Sequence, residues 1–268
     1  MAEEMQADKY ERAPNLRGAA LKRVMMRVAY DGTAYCGWQL QPGKPTIEGE
    51  LNRALLELLG EEITVIGASR TDAGVHSLGN VAVFDTDTRI PADKICFALN
   101  QRLPEDIVVQ ESTEVAADFH PRHCNSRKTY EYRILNRKMP LPTMRHDTYY
   151  YYRKLDVEAM QRAADRLVGV HDFKSFCSVH SQAETTVREI YSCDVVRDGE
   201  IVRIRVTGAG FLYNMVRIIA GTLIQVGLGE YAPEQIDAIL EGCDRSLAGP
   251  TAPAHGLTMI GIAFEDDI

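Results

Sequence analysis

The sequence predicts an α+β protein of two layers, each a sheet with helices on one face, joined near residue 120. Three observations carry this. The 268 residues amount to a little under two domains at about 150 residues each. A composition of 45% hydrophobic and 25% charged residues is that of an ordinary globular chain, which excludes a stapled mini-protein, a collagenous chain or disorder throughout. Strand-like alternation and helix-like spacing also interleave irregularly in both halves. No repeat is strong enough to prove duplication.

Val24 to Tyr30 reads as a strand, followed by a turn through Gly32 and Gly37. Thr46 caps a helix in which Ile47, Leu51, Leu55 and Leu58 share a face. Ile63 to Ile66 and Val81 to Phe84 are short β-rich runs flanking a loop from Ser69 to Gly79. Pro91, at a first-turn position, starts a helix with Ile95 and Leu99 inward. Tyr130 to Leu135 alternates, with Tyr130, Tyr132 and Ile134 on one face and Glu131 and Arg133 on the other.

A proline-containing loop, Asn136 to His146, follows. Asp156 caps a helix through Val157, Met160, Ala164 and Leu167 that Gly169 ends. Ile201 to Val206 alternates with Arg203 and Arg205 outward; Met215 to Val226 reads as a buried helix. Pro233 to Leu240 forms an amphipathic helix, and Met259 to Phe264 a closing strand.

Six scattered cysteines without a CxxC pair, and no signal peptide before them, argue against a disulfide framework or zinc ribbon and for a reducing cytoplasm. Residues 1–22 carry charges of both signs and read as a flexible extension dispensable for chemistry. Val206 to Gly229 has a single charge, Arg217, but also five glycines, and a central arginine argues against a bilayer span. A buried segment with one arginine aimed at an anion is the better reading.

The net charge of −8 would ordinarily argue against a nucleic-acid partner. It hides an asymmetry. Between Phe119 and Lys154 nine basic residues face only two acids, Glu131 and Asp147, a net of plus seven that leaves minus fifteen for the remainder. The same window holds six of the twelve tyrosines. Cations that track phosphates, interleaved with rings that stack on bases, suit a polynucleotide groove; a solvated strand with core tyrosines fits the composition equally.

The loop from Arg70 to His76 places Asp72 where a scaffold can present it to a cleft. A carboxylate serving as nucleophile or base must stay ionised while partly desolvated, and Arg70, two residues away, has the spacing to hold it so. Asp72 also reads as a turn aspartate before Gly74. His76 reads as a core or capping histidine. No histidine pattern matches a metal motif, and His120, His123 and Cys124 lack a fourth ligand at zinc-finger spacing. Gly208 to Gly210 lacks the third glycine of a dinucleotide fingerprint, and no P-loop or GxSxG elbow occurs. Residues alone thus give a two-layer α+β protein compatible with RNA binding.

The segment GASRTDAGVHSLGNVAVF, Gly67 to Phe84, resembles the catalytic motif of the tRNA pseudouridine synthase I family. Five further blocks agree in order: VAYDGTAYCGWQ (Val28 to Gln39), DFHPRHCNSRKTYEYRI (Asp118 to Ile134), HDFKSF (His171 to Phe176), FLYNMVRIIAG (Phe211 to Gly221) and TAPAHGL (Thr251 to Leu257). The resemblance implies two similar domains, 23–120 and 121–268, each a mostly antiparallel sheet with helices on one face and a catalytic cleft between them. It implies Asp72 as the essential aspartate, Tyr130 as the ring that packs on a flipped uridine, and Arg217 as the aspartate's basic partner. Leu257 would line the uracil pocket and Arg70 would help expel and replace the target base. The extension and the dense run Tyr149 to Tyr152 depart from the usual pattern.

Through the same resemblance the expected reaction is isomerisation of uridine to pseudouridine at positions 38, 39 and 40 in the anticodon stem and loop of tRNA. The expected assembly is a homodimer, with no cofactor, metal or membrane. Asp72 would suffice as nucleophile or base, attacking C6 or C1′ or abstracting a ribose proton. Base extrusion would draw on phosphate and stacking contacts from the basic window, Arg127 and Lys128 included. The alternatives are a non-catalytic RNA-binding protein of the same fold, and an aspartate-nucleophile hydrolase or phosphotransferase. The second normally carries another carboxylate two residues on, where this chain has Gly74.

Overall fold

The structure is a computed structural model that describes residues 21–179 and 183–264. All but the last two residues of the expected extension lie outside the described residues. The strands are β1 (Lys22–Tyr30), β2 (Ile66–Gly67), β3 (His76–Thr86), β4 (Ile107–Val115), β5 (Ser126–Asn136), β6 (Tyr149–Tyr151), β7 (Gly169–Asp172), β8 (Val187–Asp198), β9 (Ile201–Gly208) and β10 (Leu257–Phe264). The helices are α1 (Ile47–Leu59), α2 (Ala92–Leu99), α3 (Val157–Asp165), α4 (Met215–Gly227) and α5 (Gln235–Gly242). The mixed α+β class and the mostly antiparallel pairing expected from the sequence are both present.

The two expected layers share one sheet. Its order is β4-β1-β3-β10-β5-β9-β8-β7, with β2 beside β3 and β6 beside β5. The last strand joins the halves, pairing parallel with β3 and antiparallel with β5. Register then fixes what shares a face, because paired residues point the same way. Tyr30, Ser77, Met259, Tyr130, Val206 and Cys193 are successive partners across six strands and form one buried row. One step along, His76, Thr258, Glu131, Arg205 and Asp194 form the row on the opposite face.

Two apolar clusters lie against the first face. In one, Leu51 and Leu55 of α1 and Ile95 and Leu99 of α2 meet Val24, Met26 and Val28 of β1. In the other, Met160 of α3, Ile218 and Ile219 of α4 and Ile236 of α5 meet Tyr132, Ile204 and Val206. Thr46 caps α1 through its side chain and Asp156 caps α3, as their sequence positions predict.

Several expectations are corrected. Strand β3 begins at His76, so the expected loop ends four residues sooner. Of the run Ile63 to Ile66 only Ile66 pairs, together with Gly67. Pro91 sits at the N-cap position of α2, one residue before its first turn. Helix α3 stops at Asp165, and Gly169, at φ +114°, opens β7 instead of capping the helix.

Tyr149 to Tyr151 of the tyrosine run form a half-buried strand beside β5. Tyr149 packs on Tyr132 and Tyr151 on Tyr149, leaving Tyr152 exposed. The stretch from Val206 to Gly229 divides into the end of β9, a loop and α4. No helix of the described residues is long and apolar enough to cross a membrane.

Candidate active site

The Asp72 loop is built from close backbone approaches. A Cβ on Gly32 would stand 2.1 Å from the Val75 carbonyl oxygen, and one on Gly37, at φ +89°, would stand 2.5 Å from that of Thr71. Only glycine lets the segment after β1 press so closely on the loop. The Trp38 amide then donates to the Thr71 carbonyl at 3.1 Å and the Gly74 amide to the Tyr35 carbonyl at 3.3 Å. Below the loop, fully buried Asn80 donates to the Ser69 carbonyl at 2.9 Å, and the Tyr30 hydroxyl shares a 2.8 Å hydrogen bond with Thr71 Oγ1.

Arg217 arrives from the opposite half, in the first turn of α4. Its Nη1 donates to Asp72 Oδ2 at 3.1 Å and to Asn214 Oδ1 at 2.8 Å, and its Nε donates to the Ala252 carbonyl at 2.9 Å. The Ala252 amide returns a 3.0 Å bond to the Arg217 carbonyl, so the arginine is held at both ends. Burial is the larger influence on the Asp72 carboxyl and raises its pKa above the ordinary aspartate value, while hydrogen bonding and charge from Arg217 oppose that rise. The result is a partly desolvated carboxylate with one cationic partner.

A cavity of about 890 Å³ opens at this pair. Asp72, Arg217, Tyr130, Arg70, Leu257 and Lys128 all line it, so six of the seven residues singled out in the sequence converge. Tyr130 is buried with its ring edge-on to Phe211 at 5.2 Å, and its hydroxyl shares a 2.9 Å hydrogen bond with Ser69 Oγ. Burial pushes the phenol pKa up to about 12, which keeps it protonated. Arg70 is exposed, and its side chain has no hydrogen bond or ion pair among the described residues. The suggested support of Asp72 by Arg70 is therefore replaced by Arg217.

Lys128 lies deeper, its Nζ donating to the Ala68 carbonyl at 3.2 Å, and burial, followed by Arg122 and Arg188, lowers its pKa. Arg127 does not line the cavity; its guanidinium lies over the Tyr191 ring at 4.6 Å. The basic window is thus split. Arg122 and Lys128 face the cavity, whereas Arg133 pairs with Asp147 on the other side of the sheet, beside Arg203 and Arg205. Arg137 and Arg153 are paired with Glu200 and Glu230.

His120 and His123 stack with ring centres 3.9 Å apart, and the Cys124 thiol donates to the His120 carbonyl. Among the described residues no group of three histidine, cysteine, aspartate or glutamate side chains is placed to hold a metal ion. Sequence reasoning missed Asn80, Asn214 and Phe211. Asn80 and Phe211 act through contacts made only in the fold, whereas Asn214 meets Arg217 three residues along the chain, a spacing that could have found it.

A partly desolvated aspartate held by an arginine from another segment, opposite a buried tyrosine in an open cavity, defines an enzyme-like site in which Asp72 is the carboxylate placed for covalent or base chemistry. The profile of the tRNA pseudouridine synthase family matches residues 26–123 and 163–265, and the chain belongs to that family. It is 47% identical over 244 residues to tRNA pseudouridine synthase A of Acetivibrio thermocellus, and 45% identical over 244 residues to that of Caldicellulosiruptor bescii. Each match covers 91% of this chain and all of the relative. A third such enzyme, from Brevibacillus brevis, is 47% identical over 245 residues, with the same coverage.

Proposed function

We propose that this chain isomerises uridine to pseudouridine at positions 38, 39 and 40 in the anticodon stem and loop of tRNAs, with Asp72 as the essential group. The observation that carries the reading is the Asp72–Arg217 contact at the floor of a cavity that also holds Tyr130. Membership of the family supports the reaction itself. It disfavours the non-catalytic alternative.

The isomerisation breaks the N1–C1′ bond, turns the uracil, joins C5 to C1′, releases the C5 proton and protonates N1. Asp72 acts as nucleophile at C6 or C1′, or as base on the ribose. Arg217 keeps that carboxylate ionised in its partly dry surroundings. Tyr130 packs on the flipped uracil, Leu257 forms the wall of its pocket, and Arg70 fills the place the base leaves. Extrusion costs a few kcal/mol, recovered from phosphate and stacking contacts. Lys128 supplies charge at the cavity, and Arg127 contacts the RNA beyond it.

The same reading divides the chain into domains 23–120 and 121–268, with Asp72 in the first and Tyr130 and Arg217 in the second. It makes the working species a cytoplasmic homodimer. Tritium release from tRNA transcripts labelled at C5 of uridine tests the assignment. Release by the wild type and none by Asp72→Asn is expected; release by a purified Asp72→Asn variant at the wild-type rate overturns it.

A further inference from the structure

His76 lies four residues after Asp72, at the first position of β3, with its ring buried. The ring touches two other segments. The Gly32 amide donates to Nδ1 at 3.1 Å, and Nε2 lies 3.2 Å from the His255 carbonyl oxygen. A carbonyl oxygen can only accept, so in this contact Nε2 donates to His255, while Nδ1 meets both the Gly32 amide and the Asp31 carboxylate.

The segment receiving this bond also holds the catalytic arginine. Ala252 exchanges two hydrogen bonds with Arg217, the Tyr132 hydroxyl donates to the Pro253 carbonyl at 2.8 Å, and His76 meets the carbonyl of His255. Arg217 and Tyr132 both belong to the second half of the chain. Among the described residues His76 is the one side chain of the 70–76 segment hydrogen-bonded to residues 251–257. It extends the brief parallel pairing of β3 with β10, where Thr258 and Met259 meet His76 and Ser77.

We propose that His76 is a positioning residue of the uridine isomerisation: its ring ties the Asp72 loop to the 251–257 segment that holds Arg217, and so fixes the reach of Arg217 to Asp72. This rests on the assignment of Asp72 and Arg217 made above. His76 touches no reacting atom, since its ring lines a separate cavity of about 520 Å³ on the opposite side of the sheet.

Removing the strut loosens two segments, still joined through β3 and β10, whose relative position sets a single 3.1 Å contact. A displacement of about 1 Å in such a pair costs up to about 100-fold in rate. It also weakens the hold of Arg217 on the carboxylate, so burial, which already outweighs the arginine, raises the Asp72 pKa further. The charged and titratable groups around the ring are Asp31, whose Oδ1 is 3.1 Å from Nδ1, and His255 and His146 beyond it. Those nearest the carboxylate are Arg217 and Tyr130, with Arg70, Arg122, Lys128 and Lys44 lining the same cavity.

The test uses full-length enzyme and unmodified tRNA transcripts. It follows kcat, KM, the pH profile of kcat and the melting temperature for His76→Ala and His76→Gln, with Asp72→Asn in parallel. In His76→Ala, kcat is expected to fall by about 10- to 100-fold, with KM within about threefold and the acid limb of kcat moved to higher pH. His76→Gln, whose side-chain amide can still donate toward the His255 carbonyl, is expected to recover part of kcat and bring the limb back. Should both variants keep the wild-type acid limb and lose activity only in step with melting temperature, His76 is merely structural and the inference fails. If Asp72→Asn turns over normally, the site assignment itself falls.

Discussion

Arg217 Nη1 stands 3.1 Å from Asp72 Oδ2 although 145 residues separate the two in the chain. The contact does not balance. Burial raises the Asp72 pKa by more than the arginine lowers it, so the folded protein holds a carboxylate that would rather be protonated than its unfolded counterpart. Such a group gives stability that is present below the ordinary aspartate pKa and lost as pH rises through the folded value. At neutral pH it is a cost that the fold carries for its chemistry.

Asp72→Asn therefore has two expected signatures. Turnover is abolished while tRNA affinity stays within a few fold. The variant also melts higher than the wild type near pH 7, because the neutral amide can keep its bond to Arg217 without desolvating a charge. This gap closes as pH falls below about 4, where the wild-type carboxyl is protonated in both states. Melting curves from pH 3 to pH 8 check the sign; equal melting temperatures at neutral pH would show that Asp72 is not strained by burial.

Arg217→Ala removes the group that opposes desolvation and leaves a carboxylate at the cavity floor without its cation. Expected are a loss of kcat far larger than any loss of folding stability and an acid limb moved to higher pH. Arg217→Lys is not expected to restore the rate, because a lysine cannot reach Asp72, Asn214 and the Ala252 carbonyl together as the guanidinium does. Wild-type pH profiles in both variants would count against the pairing.

Charge in the basic window separates by face of the sheet, which gives a paired comparison. Arg122 and Lys128 face the cavity, and replacing both with alanine should weaken tRNA binding and reduce its salt slope by about one to two units. Arg133 and Arg203 lie on the far face, tied to Asp147 and Asp198. Their double alanine variant should keep the wild-type slope. Titrations at a series of salt concentrations distinguish the two, and equal slopes in both variants would place the RNA elsewhere.

Much of this was legible in the sequence wherever the signal is local. Strand β9 alternates cleanly, the apolar alternation of Tyr130 to Ile134 in β5 gives its faces even though Glu131 is buried as well, and Thr46 and Asp156 announce their helices. Strand β8 has no clear signature in the sequence, because its pairing register shifts between Ile190 and Ser192 and breaks the alternation of buried side chains. Strand β4 suffers the same way, with a register shift opposite Arg27 and Val28. The site divides similarly. Asp72, Tyr130 and Arg217 stand in motifs, but the contact of Arg217 with Asp72, and the displacement of Arg70 to the rim, depend on a sheet order that no local pattern encodes.

The last expectation concerns a residue remote from the chemistry. A Cβ on Gly221, on α4 one turn beyond Arg217, would stand 1.7 Å from the Pro250 carbonyl oxygen. By propensity alone Gly221→Ala should stabilise an exposed helix by up to about 1 kcal/mol. Here the opposite is expected, because the backbone at Pro250 must retreat, and overpacking of this kind costs about 1–3 kcal/mol. The retreat moves Ala252, whose carbonyl and amide hold Arg217, so kcat should fall while helical content is preserved. Gly210→Ala is the companion variant, since a Cβ there meets nothing within 4 Å. Circular dichroism, melting temperature and kcat measured on both settle the matter: if Gly221→Ala behaves like Gly210→Ala, the close packing of α4 on the 250–252 segment is not what aims Arg217 at Asp72.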